Sequence, residues 1–236
     1  MEVQLNCISD FFTNSYLLEG EGLVLVDTGW PSRLKPLMRK ALRAGYDLRQ
    51  VKHIVLTHHH LDHASNAAAL KELSGAELLA HSLDVPVIDG SSPPPPGSEI
   101  CTAGKAMRMA PGIVSRVMSY RPVQVEHQLE GGDELDFLPG WEVIHLPGHT
   151  RGSMGLLNRG KRWALAGDAL SHLFGLLWLP TLAFSYSLTD IATSIEVLRD
   201  LDLKALYPGH GSAITGDVRG KLDRFLQQRS LWRDLP

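Results

Sequence analysis

The amino-acid sequence predicts an α/β protein in which two β-sheets pack face to face and helices lie outside them. Short apolar runs of β type alternate with amphipathic helical segments along the 236-residue chain, a pattern typical of α/β proteins. In each half a strand-rich stretch precedes helices, which favours two sheets with separate helices. With 44% apolar residues the chain can bury a full core without disulfide bonds, and we treat residues 1–236 as one domain.

The first third of the chain alternates predicted strands and helices. Residues 1–8 alternate in polarity, as a half-buried strand does, and the glycines at positions 20 and 22 mark a turn between two apolar runs. Gly75 ends the second helical pattern. Strands are predicted at residues 1–8, 16–18, 23–26, 53–56 and 78–80, and helices at 31–42 and 65–74.

Residues 84–122 differ in composition from the rest of the chain. Four consecutive prolines occupy positions 93–96, and such a run is stiff and extended. Residues 103–118 are rich in methionine and are interrupted at Pro111, which predicts two short helices. We interpret this stretch as an insertion within the domain, and both a lid over the site and an addition to the core remain open.

The second half again places a helix after strands. Strands are predicted at 123–125, 134–137, 141–146, 153–157, 162–166 and 203–207, and helices at 189–200 and 217–232. The helix at 189–200 has apolar residues at helical spacing on one side.

Composition excludes several classes of protein. With 23 Lys and Arg against 26 Asp and Glu, the chain lacks the basic excess of nucleic-acid binders, so no nucleic-acid partner is expected. No apolar run reaches the ~20 residues that span a bilayer. Cys7 and Cys101 cannot form a disulfide framework and are expected to be thiols of unassigned role. The first residues do not resemble an export signal, and we expect a cytoplasmic protein. The oligomeric state is not predicted.

A histidine-rich tract follows the predicted strand at 53–56. His58 and His60 are two residues apart and therefore point the same way on an extended backbone, whereas His59 points elsewhere and is not expected to be a ligand. Asp62 and His63 enter the following turn. The four candidate ligands at positions 58, 60, 62 and 63 are costly to bury unless a cation pairs with them, which indicates metal binding.

Three further ligand-type residues also follow predicted strands. His149, Asp168 and His210 each lie beside a glycine that allows a close turn. Loops at strand ends often carry function on a rigid scaffold, so we expect all these side chains to meet at one sheet edge.

The motif His58-x-His60-x-Asp62-His63, followed by His149, Asp168 and His210, resembles the metallo-β-lactamase fold superfamily, on its glyoxalase-II-like hydrolase side. This resemblance implies a four-layer αβ/βα sandwich of two mixed sheets with a two-metal site at one edge. It also implies a ligand set for each ion. The first metal would take His58, His60 and His149, the second would take Asp62, His63 and His210, and Asp168 would bridge them.

The resemblance implies a hydrolase with two divalent metal ions. Zinc is expected, and iron or manganese also suit these ligands. A metal-bound hydroxide would attack the carbonyl of a small ester, thioester or lactone, with Asp62 accepting a proton as the catalytic residue. Asp27, Thr57, Thr150 and Ser153 are candidates for orienting the histidines, by position only.

The substrate is less well defined than the metal site. The stretch after His210 has room for one helix only, which speaks against a full hydroxyacylglutathione hydrolase. Ser171 stands where lactonases of this superfamily carry a tyrosine, and His172, Tyr16 or Tyr186 could replace it. The predicted substrate-contacting residues are Trp30, His172, Phe174, Trp178 and Tyr186, with Leu173 and Phe184 beside them. An iron-dependent persulfide dioxygenase, a phosphodiesterase and a non-catalytic binding protein are the alternatives.

Overall fold

The first sheet has six strands in the order in which they occur along the chain. The structure is a computed structural model that describes residues 5–10 and 13–228. The strands are β1 (Leu5–Asp10), β2 (Thr13–Glu19), β3 (Leu23–Val26), β4 (Val51–Leu56), β5 (Glu77–His81) and β6 (His127–Leu129). The β1–β2–β3 pairs are antiparallel and the β3–β4–β5–β6 pairs are parallel, so the sheet is mixed.

The second sheet has five strands in the order β13-β12-β9-β8-β7. They are β7 (Glu142–His145), β8 (Met154–Asn158), β9 (Trp163–Gly167), β12 (Ala205–Pro208) and β13 (Ile214–Thr215). Its β9–β12 pair is parallel and its other pairs are antiparallel. A separate hairpin, β10 (Ser171–Leu173) and β11 (Leu176–Trp178), lies between β9 and β12 in sequence.

Eight α-helices complete the described part of the chain. They are α1 (Leu34–Arg43), α2 (Leu61–Ala64), α3 (Ala67–Ser74), α4 (Val85–Ile88), α5 (Thr102–Met107), α6 (Pro111–Met118), α7 (Leu188–Asp200) and α8 (Val218–Gln227). None of the helices in the described residues combines the length and the apolar character needed to cross a membrane.

Side chains of the central strands alternate between two apolar clusters. In β3, Leu25 packs with α1 and α3, whereas Val24 and Val26 pack in the cluster between the two sheets. A third cluster joins the second sheet to α7 and α8, through residues such as Leu206 and Ile195. The layers therefore follow the order helix, sheet, sheet, helix, which confirms the predicted αβ/βα sandwich.

Two predicted strands are wrong. Val123 is buried, but its N–H bonds the carbonyl of Ile88 at the end of α4, and the sheet strand is β6 instead. Residues 134–137 form a turn in which the N–H of Leu135 bonds the carbonyl of Trp141. The hairpin β10–β11 was not predicted. Residues 1–4 of the first predicted strand and 229–232 of the last predicted helix lie outside the described residues.

The predicted helix at 65–74 begins later than expected. Asn66 interrupts it with a non-helical backbone, separating α2 from α3. Its side-chain amide donates to the carbonyls of Thr28, Gly29 and Trp30, and these bonds tie the start of α3 to the loop after β3.

The segment 84–122 has a buried beginning and an exposed end. Val85 and Ile88 of α4 belong to the core, whereas α6 has no buried residue. Pro111 occupies the first turn of α6, where its missing N–H costs nothing. Cys7 and Cys101 are free thiols.

Candidate metal centre

The seven residues with predicted ligand roles lie at the ends of strands from both sheets. The tract containing His58 follows β4, and Asp168 follows β9 directly. His210 follows β12, and His149 lies in the turn between β7 and β8. The two sheets present these four loops at one edge of the sandwich.

The side chains form three overlapping groups whose ligand atoms lie within 4.8 Å of one another. The groups are His58 with His60 and His149, His58 with His63 and Asp168, and Asp62 with His63 and His210. The first and third correspond to the two metal sets expected from the resemblance. Asp168 lies between them, with its Oδ2 3.5 Å from His149 Nε2 and 3.0 Å from His210 Nε2.

The surroundings of these residues are compatible with a bound cation. His58 Nε2 and Asp168 Oδ1 are buried and have no hydrogen-bond partner among residues 5–10 and 13–228. Buried polar atoms are normally paired, because leaving one unsatisfied costs about 1–3 kcal/mol. Imidazole and carboxylate ligands suit zinc, iron or manganese. The clusters therefore indicate a site for divalent metal ions.

Three of the histidines are set up as neutral ligands. Burial holds the pKa of His58 and of His60 well below the ordinary histidine value. Burial likewise lowers the pKa of His149 to about 4, against the opposing pull of the Asp168 carboxylate. Metal coordination requires the unprotonated imidazole, so these three rings are ready to bind at neutral pH.

The other half of the centre favours positive charge. Burial opposes protonation of His63, but the carboxylates of Asp168, Asp62 and Asp27 outweigh it and raise its pKa to about 10. Asp168 similarly raises the pKa of His210 against burial. The same carboxylates that raise the pKa of these two histidines also attract cations. A bound metal ion would replace the protons on the two rings.

Asp27 and Thr57 orient two of the histidines. Asp27 Oδ2 lies 2.8 Å from His63 Nδ1, and the same carboxylate accepts the backbone N–H and the hydroxyl of Thr57, each at 2.8 Å. Thr57 Oγ1 lies 3.0 Å from His58 Nδ1. Asp27 has a left-handed backbone, with φ of 60°, which turns the chain toward the site.

Asp84 and Ser185 support the site and were not predicted from the sequence. The buried carboxylate of Asp84 accepts the N–H of His59 at 3.0 Å, the hydroxyl of Thr150 at 2.8 Å and the N–H of Gly152 at 2.9 Å. It thereby joins the two loops that carry the first ligand group. Ser185 Oγ lies 2.9 Å from His149 Nδ1. Neither residue belongs to a recognisable motif.

The remaining candidates for support act at a distance from the rings. The hydroxyls of Thr150 and Ser153 bond each other at 2.8 Å, and Thr150 also bonds Asp84. His59 Nδ1 lies 3.0 Å from Asp84 Oδ2 and belongs to none of the three groups.

Tyr16 supports the backbone near His210. Its side chain is buried, and its hydroxyl donates to the carbonyl of Pro208 at 2.6 Å. Asn14 donates from its side-chain amide to the same carbonyl at 3.0 Å and to that of Gly211 at 2.7 Å. The idea that Tyr16 could replace a lactonase tyrosine is wrong, because its hydroxyl is engaged within the fold.

A cavity of about 620 Å³ opens onto the metal centre. Trp30 and Trp178, both predicted to contact substrate, line it together with Leu173 and Phe184. Tyr186 lines a neighbouring cavity of about 980 Å³.

The structure places His172 and Phe174 outside both of these cavities. His172 Nδ1 lies 3.0 Å from the carbonyl oxygen of Ser212. Phe174 occupies the turn of the β10–β11 hairpin and is 94% exposed.

The chain is similar to several known proteins. The probable metallo-hydrolase YflN of Bacillus subtilis is 28% identical over 213 residues, covering 84% of this chain and 78% of that protein. The hydroxyacylglutathione hydrolase GloC of Haemophilus influenzae is 28% identical over 181 residues, covering 76% of this chain and 78% of that protein. The solved structure of TTHA1623 in a di-iron-bound form has a TM-score of 0.66 and 26% identity, covering 94% of this chain and 99% of that chain. The family model described as the Metallo-beta-lactamase superfamily matches residues 8–210, so the chain belongs to that superfamily.

Proposed function

We propose that the protein is a hydrolase with two divalent metal ions, zinc being the expected metal, that cleaves the acyl C–O or C–S bond of a small ester, thioester or lactone by attack of water on the carbonyl carbon. The observation that carries this proposal is the overlap of three ligand groups beside an open cavity, each group having its ligand atoms within 4.8 Å of one another. The relationship to GloC, named a hydroxyacylglutathione hydrolase, supports a thioester among these substrates.

The first and the third of these ligand groups would each hold one ion. His58, His60 and His149 would bind the first, and Asp62, His63 and His210 the second, with Asp168 shared between them. When bound, such ions supply an acidified water at neutral pH and polarise a carbonyl oxygen.

Asp62 is the residue best placed to accept a proton. Its Oδ2 lies 3.5 Å from His210 Nε2 and 3.6 Å from His63 Nε2, and its side chain is 18% exposed. It also accepts a hydrogen bond from the hydroxyl of Thr13 at 3.3 Å. A carboxylate that touches the ligand cluster and still reaches the cavity can remove the proton of an attacking water.

Apolar side chains would position the acyl group and exclude water. Trp30 and Trp178 line the cavity, and Phe184 lies beside His60 with ring centroids 6.2 Å apart. Val117 and Met118 of α6 line the same cavity. We therefore propose that the segment 84–122 covers the site as part of a single domain.

The test combines elemental analysis with a substrate panel of thioesters, lactones and phosphodiesters. We expect about two metal ions per chain, as in other two-metal hydrolases. Hydrolysis of carbonyl substrates should be lost on chelation and restored by the metal.

Two variants and a redox assay sharpen the test. Asp168→Ala should lose both metal and rate, whereas Asp136→Ala, which changes an exposed carboxylate elsewhere, should retain both. Iron together with oxygen consumption on a glutathione persulfide would instead identify a dioxygenase. Full hydrolysis by metal-free protein would refute the proposal.

A further inference from the structure

Two cavities meet at the metal centre. The cavity of about 620 Å³ lies between α6 and the β10–β11 hairpin, and the larger one, of about 980 Å³, lies beside the proline run and Arg108. His60, His149, Met118 and Phe184 line both. A molecule whose reacting carbonyl sits at these histidines therefore has room to extend in two directions.

The two directions differ in chemistry. Toward the smaller cavity the walls beyond the ligands are mostly apolar, with Trp30, Leu173 and Trp178 among them. The larger cavity is lined by charged side chains of both signs, which are Arg108, Arg151, Asp84, Glu99 and Asp190. An apolar acyl chain matches the first cavity, and a polar leaving group matches the second.

Resting on the proposed function, we infer that the substrate spans both cavities. Its acyl chain would lie in the smaller one, and its leaving group would be an alcohol or thiol that bears a carboxylate or phosphate, bound by Arg151 and Tyr186. Hydrolysis adds the hydroxyl of water to the acyl carbon as the C–O or C–S bond breaks. The remaining proton neutralises the departing alkoxide or thiolate, and the products are a carboxylic acid and the anionic alcohol or thiol.

Arg151 is held ready for an anion. Its guanidinium lies 4.3 Å from the centroid of the Tyr186 ring, and its Nη2 donates to the Tyr186 hydroxyl at 2.7 Å. No carboxylate is paired with it in the described part of the chain. Because the tyrosine oxygen accepts from the arginine, the tyrosine proton stays available, and most of the five guanidinium N–H groups do as well.

The backbone of Tyr186 is hydrogen-bonded to the loop that carries His149. The backbone N–H of Tyr186 donates to the carbonyls of Gly148 and His149, at 2.8 and 3.2 Å. The cation and the ligand His149 therefore belong to one hydrogen-bonded loop assembly. A substrate anchored on Arg151 would have its carbonyl placed by the same loops that hold the metal.

The other charges of the larger cavity have different roles. Arg108 is paired with Glu99 at 3.0 Å. Asp84 is buried and already accepts hydrogen bonds from the loops. Asp190 lies in the first turn of α7, where the helix dipole stabilises a carboxylate. Arg151 is thus the cation that is best placed to bind a leaving group.

The test compares three hexanoyl thioesters with the metal-loaded enzyme. The thiols are 3-mercaptopropionate, 2-mercaptoethyl phosphate and the uncharged N-acetylcysteamine. We expect kcat/KM of the wild type to be about 10-fold higher for at least one anionic thioester than for the uncharged one, as charge-assisted hydrogen bonds imply. The two anionic arms distinguish carboxylate from phosphate.

Variants of the lining residues test which side chains cause the preference for anionic thioesters. Arg151→Gln should lower the ratio of anionic to uncharged kcat/KM about 10-fold, mainly through KM, and Tyr186→Phe should lower it less. Arg39→Gln on the distant surface of α1 serves as the control and should leave the ratio unchanged. Trp178→Ala should reduce the preference for hexanoyl over acetyl thioesters.

The outcomes separate this inference from the proposed function. An absence of anionic preference in the wild type, or an equal loss on all three thioesters in Arg151→Gln, would overturn the inference while leaving the hydrolase intact. Failure to hydrolyse any carbonyl substrate would overturn the proposed function itself.

Discussion

Replacing Asp84 by asparagine tests the junction between the two loops of the first ligand group. The Asp84 carboxylate uses Oδ2 for His59 and Thr150 and Oδ1 for Gly152. An asparagine amide keeps one oxygen, so its NH₂ group must face the buried N–H of either His59 or Gly152. The threonine hydroxyl can rotate to accept, but a backbone N–H cannot.

At least one buried N–H therefore loses its acceptor in Asp84→Asn. We expect a loss of about 2 kcal/mol in the free energy of unfolding, from the cost of an unsatisfied buried donor. For a chain of this size that corresponds to a fall in melting temperature of roughly 4–8 °C. Urea unfolding of metal-free protein measures the loss without the added stability that bound metal supplies. Asp89→Asn, an exposed aspartate in the same segment, is the matched control.

The pH dependence of this loss has a definite sign. Burial opposes ionisation of Asp84, but His59 and the hydrogen bonds from Thr150 and Gly152 outweigh it and hold its pKa below the ordinary value. The stabilisation is therefore complete above the unfolded-state pKa of about 3.9 and disappears as the pH falls through the folded-state value. The difference in free energy of unfolding between the wild type and Asp84→Asn should therefore decrease toward zero at acid pH. Equal stability at pH 7, or a constant gap down to the acid limit, would refute the reasoning.

Two further changes probe the metal centre directly. A Cβ at position 209 would overlap Asp168 Oδ1, so Gly209→Ala should displace that carboxylate and abolish tight metal binding in calorimetric titration. Gly112→Ala, where the added methyl meets nothing within 4 Å, should bind metal normally. Ser185→Ala removes the group at 2.9 Å from His149 Nδ1 and should weaken metal affinity about 10- to 100-fold in chelator competition. Unchanged metal affinity in Gly209→Ala or in Ser185→Ala would contradict the role assigned to that residue.

The sandwich was predictable because its signals are local. Alternation in β3 sends Leu25 to one face and Val24 to the other, and this period of two is visible without any partner strand. The strand at 127–129 could not be placed because apolar Val123 nearby offers the stronger pattern. That residue is buried against α4 without being part of the sheet. A short apolar run is expected both for a buried loop and for a buried strand, so the sequence pattern alone does not distinguish the two.

The ligand residues of the site could be predicted from the sequence, whereas the residues that support them could not. The ligand residues form a dense tract and three glycine-flanked positions, each of which stands out in its own stretch of sequence. Asp84 and Ser185 act on loops that lie far along the chain from them, as in the 66-residue separation between Asp84 and Thr150. An isolated aspartate or serine is common at turns and caps, so only the three-dimensional contact distinguishes these two.

The metal centre lies where the two sheets contact each other. The early tract comes from the first sheet, and the later three ligands come from the second. Backbone hydrogen bonds cross the same junction, from the N–H of Met154 to the carbonyl of Thr57 at 2.9 Å and from the N–H of Asn14 to the carbonyl of Gly209 at 2.8 Å. The complete ligand set therefore exists only when the halves are docked, and metal binding adds its free energy to the docked state. The histidine tract on its own supplies at most half of each site, and for this reason the fold rather than the motif creates the metal centre.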